Sequence, residues 1–411
     1  MWEPSLLGML PAQCDSLTAA RYDGTASLQM VTGGADREIT AGFLRSVSFR
    51  QRPVEIVAPN RCMPPSQQAM SGAELTAHPD QAFWRMETGD SDVPENQDAE
   101  SYTFTAQPGW GQLPAEIELG DVAGIAIDRK DHVYLFNRGD HPVVVLSKDG
   151  EFLNSWGHGV FTNAHGAHIG HDDAIYLTDN GDHTVRKFSL DGKLLLQIGE
   201  PKKPAAFMSN KPFCRCTHSA LSPTGDIYVS DGYGNAAVHK FSPDGKLLTT
   251  WGTPGTGPGE FNLPHNICCD ADGWVYVADR ENDRVQIFDG NGKYEAQINN
   301  MHRPSGLAIT RGSCPHCLVG ELMSYLGVNR LTPNLGPRLS VFSQSGALLG
   351  RISHPDGPGL ADGQFVSPHS IALDSAGDMY VGEVAATDWL AVFPDTPKPA
   401  NLRRFQKFIR G

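Results

Sequence analysis

The chain has 411 residues, with 33 Lys and Arg against 47 Asp and Glu and a net charge of −14. No run approaches the roughly 20 apolar residues of a membrane helix. An acidic surface also argues against nucleic acid as a main partner, because phosphate binding needs a basic face. Glycine (44) and proline (29) are abundant, which favours many strands and turns over helices.

The start, Met1-Trp2-Glu3-Pro4, has neither the basic region nor the apolar core of a signal peptide. A cytoplasmic location is therefore expected. Residues 1–100 show no clear period, and 86–101 carry six acids and no base, the composition of a solvated linker. They read as an irregular N-terminal extension before one large domain over 101–411.

The eight cysteines, at 14, 62, 214, 216, 268, 269, 314 and 317, are too few for a disulfide scaffold. They read as small buried residues in a reducing compartment. Cys314-Pro315-His316-Cys317 has redox or zinc spacing. It lacks a thioredoxin-like setting and a second CxxC, so it reads as structural.

From about 101 onward a repeat appears. A strand ending in an aliphatic-Tyr pair recurs at Val133-Tyr134, Ile175-Tyr176, Ile227-Tyr228, Val275-Tyr276 and Met379-Tyr380. The tyrosines step by 42, 52, 48 and 104 residues. The last step is double, so a degenerate unit hides inside it and the units number six. Turn glycines at 150, 192 and 245 are each followed seven residues later by another glycine; Asp-Gly between apolar runs marks hairpins.

Each unit predicts four short antiparallel strands, a to d. In unit four these are 266–269, 274–278, 284–288 and 294–298. Such sheets hide both faces only when packed radially, so the fold class is all-β, a six-bladed β-propeller. Residues 101–106 are expected to close the ring beside 404–409. Unit five, about 301–353, is irregular, with an insertion around 321–338.

Strands alternate in direction, so the start of strand a and the b–c loop share one mouth. Fourteen residues before the acids Asp179, Asp231, Asp279 and Glu383 stand His165, Thr217, His265 and His369. Units one and five carry Ala123 and roughly Ser305 there. Histidine thus occupies one register in units two, four and six, about 120° apart around a six-bladed ring. Three imidazoles converging on the channel, with a fourth position open, form the ligand set of a catalytic zinc; copper, iron and nickel also accept imidazole. The strand-ending acids are expected to hold amides of the b–c loops.

Three loop residues face the same mouth. Arg138 is a candidate for holding a carboxylate or oxyanion. Arg280 occupies the same register in unit four. Tyr233 is a candidate proton acceptor. Asp140-His141 and Asp182-His183 read as turn residues.

At these residues the chain resembles the NHL-repeat propellers, and within them the peptidyl-α-hydroxyglycine α-amidating lyase family. The matching stretches are Arg138-Gly139-Asp140-His141, His165-Gly166, Ser230-Asp231-Gly232-Tyr233, Leu263-Pro264-His265, Ala278-Asp279-Arg280-Glu281-Asn282 and Pro368-His369. The resemblance implies zinc on His165, His265 and His369, with Tyr233 and Arg138 acting on substrate. It implies cleavage of a peptidyl-α-hydroxyglycine, or a related carbinolamide, to an amide and glyoxylate. The partner would be a small-molecule or peptide substrate, supplied by a separate monooxygenase. The chain departs from the family at Ser367 (a methionine there), at Ser370 (an acid holding structural calcium) and at Gly234 (a cysteine bridging to the position of Cys214). These departures count against the calcium and the disulfide. The competing readings are a metal-dependent hydrolase or lactonase on the same propeller, and a non-catalytic binding scaffold.

Overall fold

The computed structural model describes residues 103–312, 315–330, 332 and 335–411. The expected extension over 1–100 lies outside them. Six four-stranded antiparallel sheets are present among the described residues. Their innermost strands are Val122–Ile127, Ala164–Ile169, His218–Leu221, Pro264–Cys269, Pro304–Ile309 and Pro368–Leu373. In five sheets the chain then runs outward in sequence order, as the repeat predicts. The inner strands of neighbouring sheets pack on one another, forming the wall of the axis. The result is a six-bladed propeller.

The sixth blade closes the ring. Its two inner strands, Pro368–Leu373 and Met379–Glu383, are joined by Phe405–Arg410 and, outermost, by Phe104–Ala106. Phe104 pairs with Arg410 and Ala106 with Phe408. The two ends of the repeat region are thus clasped in one sheet.

Packing explains the repeat. One apolar cluster lies between each pair of neighbouring blades. The aliphatic-Tyr pair is the buried second strand. Its tyrosine carries the hydroxyl to the opposite face, where Tyr134, Tyr176, Tyr276 and Tyr380 donate to Asp128, Asp172, Asp270 and Asp374. A buried phenol needs such a partner. Blade five puts Leu318 at this register, opposite Ala308, and Thr310 in place of the aspartate. That loss breaks the sequence period, yet the blade forms regularly from Pro304–Ile309, Cys317–Glu321, Arg338–Phe342 and Leu348–Ile352. Its insertion lies in the b–c loop, on the mouth side.

A helix, Ala385–Val392, occupies the b–c loop of blade six. The repeat pattern gave no sign of it. Ala385, Trp389 and Val392 are buried with Met323, Val366 and Leu402. No helix among the described residues is long and apolar enough to cross a membrane.

Phe408 is 1 % exposed and packs in the cluster between blades five and six. Phe408→Ala should cost about 3–5 kcal/mol in urea unfolding. A loss below about 1 kcal/mol would show that the closing sheet lies outside the cooperative unit.

Candidate metal centre

The register residue is set apart by backbone geometry. In five blades the pairing of strands a and b skips one residue near the mouth: Ala123, His165, His265, Ser305 and His369. Such a bulge leaves one residue unpaired and re-aims its side chain. Strand a of blade four accordingly begins at Pro264, before the expected Asn266, with His265 as its extra residue. Blade three has no bulge, and Thr217 stands just before its inner strand.

The three histidines meet. Their ring centroids lie 4.7–4.9 Å apart, and one ligand nitrogen from each falls within 4.8 Å of the others. Each Nδ1 contacts a backbone carbonyl of the next blade: His165 on Thr217 (2.6 Å), His265 on Ser305 (2.9 Å) and His369 on Ala123 (2.8 Å). A carbonyl only accepts, so each Nδ1 carries the proton and leaves Nε2 with its lone pair. The accepting residues hold the same register in the blades that lack histidine. Gly166 permits the close approach: a β-carbon there would lie 2.7 Å from the Thr217 carbonyl oxygen.

Electrostatics favours neutral rings. Burial holds His165 and His265 well below the usual imidazole range, and neighbouring His369 and an arginine add to the effect. Burial, then Arg138, pushes His369 down to about 3. Three neutral, oriented nitrogens around one point fit a zinc-type ion.

Tyr233 caps this group. Its hydroxyl lies 3.2 Å from Nε2 of both His165 and His265. Arg280 donates to that hydroxyl at 3.4 Å and to Glu281 at 2.8 Å. Arg138 donates from Nε to the Ala164 carbonyl (3.1 Å) and from Nη1 to Thr387 on the helix (2.9 Å). The structure therefore brings all six sequence-selected residues to one mouth.

Four features escaped the sequence reading. Arg215 lies with its guanidinium carbon 5.1 Å from the Tyr233 ring centre. Arg303 stacks on Tyr325 of the insertion at 3.9 Å. Tyr325 in turn donates to Asp388 of the helix, which also accepts from Ser367. Arg215 and Arg303 both stand two residues before the register position, a spacing that could have singled them out.

The acids ending strand b work differently from expectation. They chiefly accept amides of the segment entering strand a: Asp179 from Thr162 and Asn163, Asp231 from Cys214, Asp279 from Asn262, and Glu383 from Val366 and Ser367. Asp179 also takes Gly181 of the b–c loop. They thus fix the backbone just before each register residue. Blade five uses Glu321 on His302. His141 and His183 serve turns, contacting Ser155 and the Arg215 amide.

The departures from the family pattern have local explanations. Ser370 accepts the Ile125 amide at 2.8 Å across blades six and one; a neutral, engaged hydroxyl does not suit calcium. A β-carbon at Gly234 would lie 2.2 Å from Cys214 Sγ, so the glycine makes room for a free thiol. Cys214, Cys216, Cys268, Cys269 and Cys317 are all free. Burial pushes Cys317 up to about 12, which suits packing and not redox chemistry. Cys14, Cys62 and Cys314 lie outside the described residues.

Comparison with known proteins fits this geometry. The NHL repeat model matches residues 261–288. Human NHL repeat-containing protein 3 is 32 % identical over 70 % of this chain and 83 % of its own length. The chain belongs to the NHL-repeat family. Peptidyl-glycine alpha-amidating monooxygenase B of Xenopus laevis is 30 % identical over 76 % of this chain, which spans 37 % of that larger protein. A probable peptidyl-alpha-hydroxyglycine alpha-amidating lyase of Caenorhabditis elegans is 29 % identical over 47 % of this chain and 61 % of its own. A solved Bacteroides thetaiotaomicron protein of unknown function shares the fold, with a TM-score of 0.51 at 16 % identity over 75 % of this chain and 73 % of its own.

Two further histidines, the partly buried His168 and the buried His218, line the channel beyond the triad, pushed down by desolvation to about 4 and about 3. An unfolded histidine titrates near 6.5. All five bind protons more readily unfolded, so stability is full above about pH 6.5 and falls as pH drops below it. Each contributes up to about 1.4 kcal/mol per pH unit. Urea unfolding in EDTA should show a lower midpoint at pH 5 than at pH 7.5; a flat profile would mean that the folded rings protonate freely.

Proposed function

We propose that this chain is a metal-dependent carbon–nitrogen lyase. It splits the C–N bond of a peptidyl-α-hydroxyglycine or related carbinolamide, giving an amide and glyoxylate. The observation that carries the reading is the Tyr233 hydroxyl, 3.2 Å from Nε2 of two of three converging neutral histidines. The amidating relatives support it.

His165, His265 and His369 would hold zinc through Nε2, and the ion would lend Lewis acidity to the substrate hydroxyl. Tyr233 stands where it can accept that hydroxyl's proton. As the C–N electron pair leaves with nitrogen, a C=O bond forms at the former carbinol carbon. Tyr233 then returns the proton to the amide nitrogen, so the proton count closes without another donor. Arg138 and Arg280 flank the histidines and hold the substrate carboxylate. The Ala164, Thr387 and Glu281 contacts keep their guanidinium planes in place.

Purified protein should contain about one zinc-type ion per chain, and the triple His165, His265, His369→Ala variant should contain none. Equal metal in both proteins removes the basis of the reading.

Metal-loaded protein should release glyoxylate from benzoyl-α-hydroxyglycine. Tyr233→Phe should lower kcat by about 10²–10⁴ while retaining the metal. Release of no glyoxylate by metal-loaded wild type would favour hydrolysis of an ester or lactone. Absence of both metal and turnover would leave a binding scaffold.

A further inference from the structure

Arg215 belongs to no part of the mechanism above, yet it is built into the mouth. Its guanidinium carbon lies 5.1 Å from the Tyr233 ring centre, and that of Arg280 lies 5.6 Å away. The backbone beneath it is pinned on both sides. Cys214 N donates to Asp231 (2.9 Å), Arg215 N to His183 Nδ1 (3.0 Å) and Thr217 N to the Ser230 carbonyl (2.8 Å). Arg215 itself has a left-handed φ of 62°. A non-glycine residue is uncommon there and is held by its surroundings.

The three arginines nearest Tyr233 and the histidines differ in what they touch. Arg138 and Arg280 are largely buried, with side chains 20 % and 11 % exposed. Each has two donor groups engaged by protein. Arg215 is exposed. Its guanidinium meets no carboxylate, carbonyl or hydroxyl among the described residues and lies over the Tyr233 face. In a chain of net charge −14, an uncompensated cation fixed beside the site is a ready anion receptor. Its planar fork matches a carboxylate in bidentate fashion.

Depth separates the roles. Arg138 and Arg280 sit beside the histidines, where the carboxylate of the departing glyoxylate must lie. Arg215 is the exposed one of the three, on the solvent side of Tyr233, and a substrate anchored by its glyoxylate end would extend outward past it. We propose that Arg215 is a specificity residue that binds a second carboxylate on the amide-side fragment, so that the preferred substrates are acidic carbinolamides. This inference rests on the lyase reading for its substrate class.

The test compares N-acetyl-Glu-α-hydroxyglycine with N-acetyl-Phe-α-hydroxyglycine. Wild type should favour the Glu substrate in kcat/KM. Arg215→Gln should lower the Glu-to-Phe ratio about tenfold, the size of one charge-assisted contact, mainly through KM. Arg215→Lys, which keeps the charge without the fork, should fall between. A ratio unchanged in Arg215→Gln overturns the proposal. If wild type cleaves neither substrate, the lyase reading fails by itself. Calorimetry with N-acetyl-Glu-Gly and N-acetyl-Phe-Gly then reads Arg215 separately. A weaker Glu-peptide affinity in Arg215→Gln supports the acidic subsite, and equal affinities overturn it.

Discussion

Three imidazoles can share one point on the propeller axis because an extra residue interrupts each inner strand that carries one. In a regular ladder, residue i pairs and its side chain alternates between the two faces of the blade. Those faces are covered by neighbouring blades. A side chain directed along the ring radius needs a break in that alternation, and the bulge at His165, His265 and His369 supplies it. The aspartates and glutamate ending the second strands stabilise the same place by holding the amides that lead into it. Position and orientation of the site are therefore properties of the backbone before any ion or substrate arrives.

The mouth around this centre is asymmetric, and the asymmetry comes from the b–c loops. Blades one and four contribute Arg138 and Arg280, and blade three contributes Tyr233. Blade five adds its insertion and blade six its helix. These two additions are joined to each other through Tyr325 and Asp388, to Arg138 through Thr387, and to the strand entering His369 through Ser367. The repeated architecture of the ring sets where the three imidazoles meet, while irregular loops shape the mouth above them.

Much of this was legible in the chain itself. The blade number, the closing strand and the histidine register all follow from spacing, since five of the six blades solve the same burial problem with the same tyrosine. The degenerate fifth blade was hard to read for the same reason: without the Tyr–Asp pair at Leu318 and Thr310, its a–b turn could lengthen. The helix over Ala385–Val392 was invisible because it replaces a loop and obeys no repeat. Arg215 was missed because its significance depends on Tyr233, eighteen residues away in sequence and adjacent only after folding. The acids of the second strands were found, but their partners were misassigned; which of two nearby loops offers its amides is a matter of backbone direction that spacing does not encode.

The contact between each of the three rings and the following blade's carbonyl has a consequence for which substitutions the circle tolerates. The acceptor is a main-chain oxygen, so exchanging the side chain of Ala123, Thr217 or Ser305 does not remove it. A one-residue slip in the backbone of an acceptor blade would turn its carbonyl away and leave the preceding imidazole unanchored.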